Sequence, residues 1–331
     1  MRTVLKLVLL ALLAGGGWIA WALFLPVAPP TQQFVLLRPG FSTRRIAGEL
    51  QAAGVIRNAR AFVLWHYLHR QRSLKAGEYL FDKDADARQV HERLVRGDVY
   101  KREVLVPEGF TMFEIAQAVQ SAGLGSSQDF LKACMADTAL IADLAPSAKS
   151  LEGYLFPATY EFTRTQSPDD MVAAMVKQFR EVSHEIGLTA EAQGTNVPRI
   201  VTLASIIEKE TAAAEERPLV ASVYNNRIDK HIALQADPSV IYAETIDGTY
   251  QGALHHSDMQ ENSPYNTYKH PGLPPGPIGN PGKSSLEAAM HPAATDYYYF
   301  VSDGNGHHRF AHDLEEHNRN VAAYRRVMQE R

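Results

Sequence analysis

An uninterrupted apolar run near the amino terminus constrains the fold of this chain more than any other feature of its sequence. Residues 7–25 (LVLLALLAGGGWIAWALFL) carry no charge. An α-helix of that length rises about 28 Å, close to the ~30 Å hydrocarbon core of a bilayer. Trp18 and Trp21 lie near its far end, where indole rings favour the membrane–water interface. The run therefore predicts one membrane-spanning helix.

Charges on either side of this run predict its orientation. Arg2 and Lys6 precede it, and the first charge after it is Arg38. The positive-inside rule then keeps the amino terminus in the cytoplasm and places the remainder of the chain outside. A cleaved signal peptide is the alternative, because residues 20–22 (AWA) form a crude cleavage pattern. The apolar run continues to Leu25 with no polar region before the cut, which favours the anchor.

Composition excludes several classes of protein and of site. The formal net charge is -4, whereas a dedicated nucleic-acid binder is usually strongly basic. Cys134 is the sole cysteine, so an intramolecular disulfide and a zinc site with two cysteines are both excluded. Its apolar helical surroundings predict a buried thiol. Histidines cluster at 307–317, but no HExxH or Walker A motif is present. We expect hydrogen-bonding histidines and neither a metal nor a cofactor.

A short motif recurs 69 residues further along the chain. Three residue pairs of the first copy, Gly40-Phe41, Ile46-Ala47 and Ala53-Gly54, return as Gly109-Phe110, Ile115-Ala116 and Ala122-Gly123. Each copy predicts a strand, a turn and two helices, and residues 77–81 add a second strand to the first copy. This strand–helix–helix–strand order in residues 34–82 resembles the LysM glycan-binding module. A packing unit of the same shape without a ligand stays open as the alternative.

The sequence changes in character after residue 150. Residues 168–186 and 199–216 have helical patterns, residues 297–301 (YYYFV) are typical of a strand, and residues 313–330 predict a polar helix. Residues 247–283 hold six prolines and six glycines, and such long irregular stretches are usually functional or disordered. We predict an α+β fold in four parts: the terminus and membrane helix (1–26), a linker (27–33), a LysM-like subdomain (34–103) and a mixed α/β domain with the long Pro/Gly-rich loop (104–331).

One predicted helix carries the strongest candidate for chemistry. Its apolar face combines Ile200, Leu203, Ala204, Ile207 and Thr211, and Ile206 widens it. Glu210 follows one turn after Ile206 and Ile207, about 60° from the centre of that face, whereas Glu208 is about 100° away. Glu210 is therefore the carboxyl that we expect to be partly desolvated, which would raise its pKa and let it donate a proton to a glycosidic oxygen. A solvated acidic helix end is the alternative, since Glu215 and Glu216 follow.

Two further segments offer polar and aromatic groups. Gln235, Asp237 and Pro238 form a polar turn before a predicted strand at residues 239–242 (SVIY). Asp237 fits a second carboxylate or a turn residue that bonds its own backbone. Residues 263–268 (SPYNTY) present aromatic faces and amides suited to sugar rings and N-acetyl groups, and a rigid structural loop is the alternative.

These segments together resemble the YceG-like family, the endolytic murein transglycosylases of bacterial inner membranes. Six ordered stretches carry the resemblance: residues 151–160 (LEGYLFPATY), 204–211 (ASIIEKET), 224–242 (YNNRIDKHIALQADPSVIY), 264–268 (PYNTY), 272–282 (GLPPGPIGNPG) and 316–321 (EHNRNV). The match is weaker at Ala158, where the family usually has Asp, and at residues 311–313.

The resemblance implies a reaction and a site. The family's catalytic acid, the second glutamate of the IIEKE segment, corresponds to Glu210. It would cleave between N-acetylmuramic acid and N-acetylglucosamine without water, leave a 1,6-anhydro end and so terminate glycan polymerisation. Substrate-contact candidates are Gln235, Asp237, Tyr265, Asn266 and Tyr268. Expected partners are peptidoglycan strands and their synthases, with the catalytic part on the periplasmic side of the inner membrane. A non-catalytic glycan-binding scaffold and a hydrolase that pairs Glu210 with Asp237 are the alternatives.

Overall fold

The structure, a computed structural model, describes residues 1–29, 31–69 and 73–329. The chain divides into two compact units. The first contains Met1–Glu103 and Glu161–Ser167, and the second contains Val104–Tyr160 and Pro168–Arg331. Helices and short strands occur in both, so the predicted mixture of helix and strand with an apolar amino-terminal helix is confirmed.

The first unit is built around one antiparallel strand pair. Its elements are α1 (Arg2–Phe24), β1 (Gln33–Leu37), α2 (Thr43–Ala52), α3 (Ala59–Leu68), β2 (Gly77–Phe81) and α4 (Ala87–Arg96). β1 pairs with β2 so that Val35 lies opposite Tyr79. The order of β1, α2, α3 and β2 agrees with the strand–helix–helix–strand prediction for this segment. Side chains from all six elements form one apolar core.

Local sequence explains why these helices begin where they do. Ser42 and Asn58 lie just before α2 and α3, and each side chain accepts a hydrogen bond from a backbone N–H of the first turn. Asp86 forms a reciprocal capping box with Gln89 at the start of α4. Such caps satisfy backbone donors that have no partner inside the helix, and each stabilises its helix by about 1 kcal/mol.

The carboxyl-terminal end of α1 is packed into the first unit. α1 is 23 residues long and apolar enough to cross a membrane. Ala22 and Leu23 are nevertheless buried among residues of this unit. Immediately afterwards Val27 forms a backbone bridge with Ala85, with N–O distances of 2.9 and 3.2 Å. The segment predicted as a linker, residues 27–33, therefore begins with a paired residue.

The second unit is mainly helical. Two strands, β3 (Arg102–Leu105) and β4 (Thr159–Phe162), pair with each other where the chain passes between the units. The remaining elements are α5 (Met112–Ser121), α6 (Ser127–Ala136), α7 (Pro168–Glu185), α8 (Ala190–Gln193), α9 (Val197–Glu210), α10 (Arg217–Asp229), α11 (Asp237–Asp247), α12 (Lys283–Met290), β5 (Tyr299–Ser302), β6 (His308–Ala311) and α13 (Leu314–Gln329).

Helix α9 lies at the centre of this unit, packed against α10, α11 and α12. Almost every residue from Val197 to Ile207 is buried, so the helix has no broad solvent face. Pro198 lies in its first turn, where proline is tolerated because its missing N–H would have no partner there. The helix ends at Glu210, and Thr211 is extended. The sequence-based prediction, which ran this helix on to Glu216 and placed Thr211 on its apolar face, is wrong at this end.

The predicted strand at residues 239–242 is also wrong. These residues belong to α11, which begins at Asp237 with Pro238 in its first turn. Valine, isoleucine and tyrosine favour strands only when neighbouring strands are available for pairing. Here the segment packs against α9 and is helical. Asp237 thus stands at the amino-terminal end of a helix rather than in a turn before a strand.

Candidate active site

Glu210 is held at the end of α9 by a side chain of the neighbouring helix. The hydroxyl of Tyr224, on α10, donates a hydrogen bond to Oε1 of Glu210 at 2.6 Å. Tyr224 is fully buried, and burial raises its pKa well above the ordinary value, so it remains a phenol that can donate. Its ring also packs edge-on against Phe300, with 5.8 Å between centroids. The glutamate is therefore fixed in position while its second oxygen remains free of protein hydrogen-bond donors among the described residues.

The protonation of Glu210 is shifted by its surroundings. Burial of the carboxyl raises its pKa to about 7, and the negative charge of Asp237 acts in the same direction. The Tyr224 hydrogen bond and the charges of His308 and Arg227 favour the carboxylate and limit the rise. Both protonation states are consequently populated near neutral pH. One carboxyl can then donate a proton in one step and accept one in the next.

Glu210 lines a cavity of about 260 Å³. The other lining residues are Tyr224, Arg227, Leu234, Gln235, Asp237, Tyr268, Phe300 and His317. Four of the six residues proposed from sequence, Glu210, Gln235, Asp237 and Tyr268, therefore meet around one space. They come from the end of α9, from the connection before α11 and the first residue of α11, and from the long segment between α11 and α12.

Thr267, in the long segment between α11 and α12, accepts two hydrogen bonds from the connection before α11. The backbone N–H of Gln235 donates to the Thr267 carbonyl at 3.2 Å, and that of Ala236 donates to the Thr267 hydroxyl oxygen at 2.9 Å. The Tyr268 hydroxyl then donates to Oδ1 of Asp237. Gln235 has a φ of 55°, a left-handed conformation that is uncommon for residues other than glycine and is often found at functional sites.

Two residues proposed as substrate contacts lie elsewhere. Asn266 is fully buried, and its amide donates to the carbonyls of Met259 and Glu261 while its oxygen accepts the N–H of Tyr268. The amide nitrogen and the oxygen of its side chain are thus both engaged by backbone groups of the loop. Tyr265 lies against Tyr242, with ring centroids 5.1 Å apart. It lines a second, larger cavity of about 630 Å³, so neither residue reaches the cavity of Glu210.

Glu208 is not the solvated carboxyl that the helix-face argument requires. Its side chain is only 4% exposed and forms a 2.8 Å ion pair with Arg217. It also accepts the backbone N–H of Gly282, at 2.8 Å. The argument is wrong because α9 is enclosed on nearly all sides, so angular distance from one apolar face does not measure exposure. What distinguishes Glu210 is that it faces a cavity, whereas Glu208 is neutralised by a buried cation.

Glu152 is a second buried carboxyl with a raised pKa. Its burial raises the pKa to about 7. It accepts hydrogen bonds from the Met112 backbone, the Tyr242 hydroxyl and the Asn280 amide, at 2.9–3.0 Å. Both oxygens are therefore engaged by protein donors, and the group ties three segments of the second unit together. It lines the larger cavity and not that of Glu210.

Sequence analysis missed Arg227. The residue is 8% exposed, and its guanidinium donates to the backbone carbonyls of Tyr298, Ala233 and Leu234. Within the described part of the chain it forms no ion pair, so its positive charge acts on the cavity that it lines. Arg227 and Tyr224 both belong to the stretch at residues 224–242 that carried the family resemblance. The hydrogen bond of Tyr224 to Glu210 runs between two helices, and Arg227 acts on Glu210 through its charge. Sequence spacing alone reveals neither.

The histidine cluster bonds to a carboxylate. Nδ1 of His308 lies 2.7 Å from Oε2 of Glu216, and Nδ1 of His307 lies 3.2 Å from Oε1. Among the described residues, one group of three side chains could approach a metal ion together, and it contains no histidine. Its members are Glu244, Asp258 and Glu261. Glu244 lies in α11, two turns after Asp237, and none of the three lines the cavity of Glu210.

Known proteins with similar sequences share one name. A protein of Bacillus subtilis (strain 168), named endolytic murein transglycosylase, is 34% identical over 301 residues, which cover 86% of this chain and 82% of that protein. One of the same name from Streptococcus pneumoniae serotype 2 (strain D39) is 31% identical over 96% of this chain. The match spans 64% of the pneumococcal protein's length.

A solved structure also resembles this one. The crystal structure of a yceG-like protein from Listeria monocytogenes superposes with a TM-score of 0.60 at 33% sequence identity. The match covers 87% of this chain and 98% of that one. The model of the YceG-like family itself matches residues 35–323. A match that extends over most of both units shows that the chain belongs to the YceG-like family.

Proposed function

We propose that the chain is an endolytic lytic transglycosylase that cleaves peptidoglycan strands between N-acetylmuramic acid and N-acetylglucosamine. Cleavage leaves 1,6-anhydro-muramoyl ends and so terminates the polymerisation of the strand. The names of the Bacillus and Streptococcus relatives support the substrate and reaction class. The observation that carries the mechanism is the position of Glu210, whose carboxyl lines a cavity and has a pKa of about 7.

In the first step Glu210 acts as a general acid. Its protonated carboxyl donates a proton to the glycosidic oxygen as the bond from that oxygen to C1 of the muramoyl sugar breaks. The carboxylate that results keeps the hydrogen bond from Tyr224 and lies near the charge of Arg227. Positive charge develops at C1 in this transition state, and the Asp237 carboxylate in the same cavity stabilises it electrostatically.

In the second step Glu210 acts as a general base. Its carboxylate takes the proton from the C6 hydroxyl of the muramoyl sugar, and the oxygen of that hydroxyl forms a bond to C1. The ring closes as the 1,6-anhydro product, the carboxyl regains its proton, and no water is consumed. A pKa close to the working pH suits a group that must both donate and accept. The nucleophile is intramolecular, so no second carboxylate has to activate a water molecule.

The remaining site residues bind and position the strand. Gln235 and Tyr268 line the cavity and contact the sugar directly, whereas Asn266 acts by holding the loop that carries Tyr268. Tyr265 lines the larger cavity and contacts the strand further from the cleaved bond. Thr202 and Glu210 line the two cavities from the same helix, eight residues or about 12 Å apart along its axis. That separation suits an enzyme that binds an extended polymer and cuts it internally.

The chain organisation supports an anchored enzyme. We propose that residues 1–26 contain a cytoplasmic terminus and a membrane-spanning helix, with residues 27–33 leading to the extracytoplasmic part. Residues 34–103 are a LysM-like subdomain that holds glycan, and residues 104–331, with the long Pro/Gly-rich segment, are the catalytic domain. The length and apolarity of α1 support the anchor. Peptidoglycan synthases of the inner membrane are the expected partners, because they extend the strands that this enzyme cuts.

A paired-carboxylate hydrolase is the second candidate, favoured by the presence of Asp237 beside Glu210 in the cavity. Such an enzyme would use one carboxyl to protonate the leaving oxygen and the other to assist attack by water. The products separate the two functions. Purified glycan strands treated with the full chain should yield fragments with anhydro ends, each lighter by one water than a fragment with a reducing end. Reducing ends alone would establish the hydrolase.

A further inference from the structure

The outer face of α3 is apolar although no described residue of the first unit covers it. The sequence of this helix is ARAFVLWHYL, apolar almost all round. Ala61, Phe62 and His66 point into the core. On the other side Leu64, Tyr67 and Leu68 are 44%, 53% and 72% exposed. A helix that is apolar on both faces normally has a second apolar environment against its outer face.

The three exposed side chains form one stripe. Leu64 and Leu68 are four residues apart and Leu64 and Tyr67 are three apart, the spacings at which side chains lie together on a helix. Arg60, also exposed, stands one turn before Leu64 on the same face. The stripe therefore combines two leucines and a tyrosine with a flanking cation, a composition typical of helices that lie in a membrane interface.

Contacts between α3 and the end of α1 fix where this stripe lies. The ring of Phe24 packs edge-on against Trp65, with centroids 6.1 Å apart. The Arg57 guanidinium, just before α3, donates to the carbonyls of Leu25 and Pro26 at 2.6 and 3.0 Å. The same guanidinium lies 5.3 Å from the ring centre of Trp21. α3 and the residue just before it are thus packed against the last turn of α1 and the residues that follow it.

The length of α1 then sets the depth of α3. Lys6, the last charge before the apolar run, is 18 residues before Phe24, a helical rise of about 27 Å. If Lys6 lies at the cytoplasmic interface, Phe24 lies at the opposite boundary of a hydrocarbon core about 30 Å thick. Trp65 touches Phe24, so the helix that carries the stripe lies at that same boundary.

We propose that the stripe formed by Leu64, Tyr67 and Leu68 inserts into the outer leaflet of the membrane that α1 crosses, making α3 a second lipid contact. This inference rests on the anchor in the proposed function. Two helices then hold the first unit at the bilayer surface, and the second contact restricts its rotation about α1. The occupant is lipid because the contacts with α1 bring the stripe to the boundary of the hydrocarbon core.

A fluorescent probe on α3 tests the proposal. The full chain is reconstituted in phosphatidylethanolamine–phosphatidylglycerol vesicles with an environment-sensitive fluorophore attached through Leu68→Cys. Cys134 is buried and burial raises its thiol pKa, so the native thiol does not label. Two variants serve as references, Leu13→Cys within α1 and Glu49→Cys at an exposed charged position of α2. Leu64→Cys is the second test position, should Leu68→Cys fold poorly.

The expected result is a blue-shifted Leu68 probe, quenched by lipids with spin-labelled acyl chains several-fold more strongly than the Glu49 probe. A Leu68 probe that behaves like the Glu49 probe, while the Leu13 probe is quenched, would overturn the inference and leave the anchor intact. A blue-shifted Leu68 probe that lipid quenchers do not reach would place protein against the stripe and would also overturn it. If the Leu13 probe is not quenched either, the proposal that α1 spans the membrane is wrong.

Discussion

The hydrogen bond between Tyr224 and Glu210 tunes the residue on which the proposed chemistry depends. Tyr224 donates to the carboxyl and so stabilises its ionised form. Burial acts more strongly in the opposite direction, and the outcome is a pKa of about 7. A hydrogen bond to a charged group stabilises it by about 1.5–3 kcal/mol, and 1.36 kcal/mol corresponds to one pKa unit. Removing the donor should therefore raise the pKa of Glu210 measurably.

Tyr224→Phe makes that change with little loss of packing. The proposed mechanism requires protonated Glu210, so the alkaline limb of the kcat/KM–pH profile should move upward by about one to two pH units. Tyr297→Phe, outside the cavity, is the matched control and should leave the profile in place. An unchanged alkaline limb in Tyr224→Phe would mean that another group controls the proton transfer.

The raised pKa of Glu210 also predicts how stability depends on pH. The ordinary glutamate pKa is 4.5, and burial raises that of folded Glu210 to about 7. Between these values the folded state holds a proton that the unfolded state has lost, so this group lowers stability as pH rises from about 4.5 to 7. Glu210→Gln is always neutral and avoids the loss. The variant should equal wild type near pH 4 and exceed it by up to about 3 kcal/mol above pH 7.

Urea unfolding of both proteins across that pH range measures the difference directly. Glu152, whose pKa is also near 7, is present in both proteins and cancels in the comparison. A difference in unfolding free energy that stays constant from pH 4 to pH 8 would contradict the shifted pKa.

At the scale of elements, the end of α9 is held by the buried ion pair of Glu208 and Arg217. Their charged atoms are 2.8 Å apart, and both side chains are less than one tenth exposed. Glu208 also bonds the Gly282 N–H, just before α12. The pair therefore fixes α9, α10 and the start of α12 relative to one another and so positions Glu210.

Glu208→Gln should consequently destabilise the chain. Removing the only partner of a buried charge costs about 3–5 kcal/mol. Arg217 would keep the half-exposed Glu108 carboxylate, 3.6 Å away, and its hydrogen bond to Ser284, so we expect a smaller loss of about 1–3 kcal/mol. Glu215→Gln, an exposed carboxyl beyond the end of α9, should change the unfolding free energy by less than about 0.5 kcal/mol. Equal urea midpoints for the two variants would show that the ion pair does not secure this helix.

Several elements could be predicted from the sequence because local patterns determine them. α7 begins at Pro168, where it was predicted, and α9 begins at Val197 beside Pro198, two residues before the predicted start. Two of the failed predictions in the second unit have a tertiary cause. Residues 239–242 have strand propensity, yet packing against α9 makes them helical. Glu208 has the spacing of an exposed residue, yet Arg217 from another helix buries it.

The sequence pointed to some of the residues around the cavity of Glu210 and not to others. Glu210, Gln235, Asp237 and Tyr268 line one cavity, as a single site requires. Tyr224 was missed because its role arises from a contact between α10 and α9, and Arg227 because its guanidinium bonds backbone carbonyls outside its own helix. No periodicity in the chain encodes either contact. The neighbours Tyr265 and Asn266 do not line this cavity, and the aromatic and amide-rich pattern of their segment carried no indication of which side chains shape the loop and which face the cavity.

At the scale of the whole molecule, the proposed topology places both units on the outer side of the membrane. Arg2 and Lys6 flank the cytoplasmic end of α1, and an apolar helix of 23 residues is long enough to cross. A reporter enzyme that is active only outside the cytoplasm should therefore work when fused after Arg331. The fusion should remain in the membrane fraction at full mass. A soluble product lacking residues up to about Ala22 would identify a cleaved signal peptide instead.

The central claim is that Glu210 is the only residue that donates and accepts the proton during cleavage. Glu210→Gln removes the acid while keeping the size of the side chain and an acceptor for the Tyr224 hydroxyl. The most direct test counts new anhydro-muramoyl ends by mass after wild type, Glu210→Gln and Glu215→Gln act on the same purified glycan strands. Glu215→Gln should cleave normally, and Glu210→Gln should lose at least the ~10²–10⁴-fold that proton transfer contributes. Near-normal production of anhydro ends by folded Glu210→Gln would contradict the account.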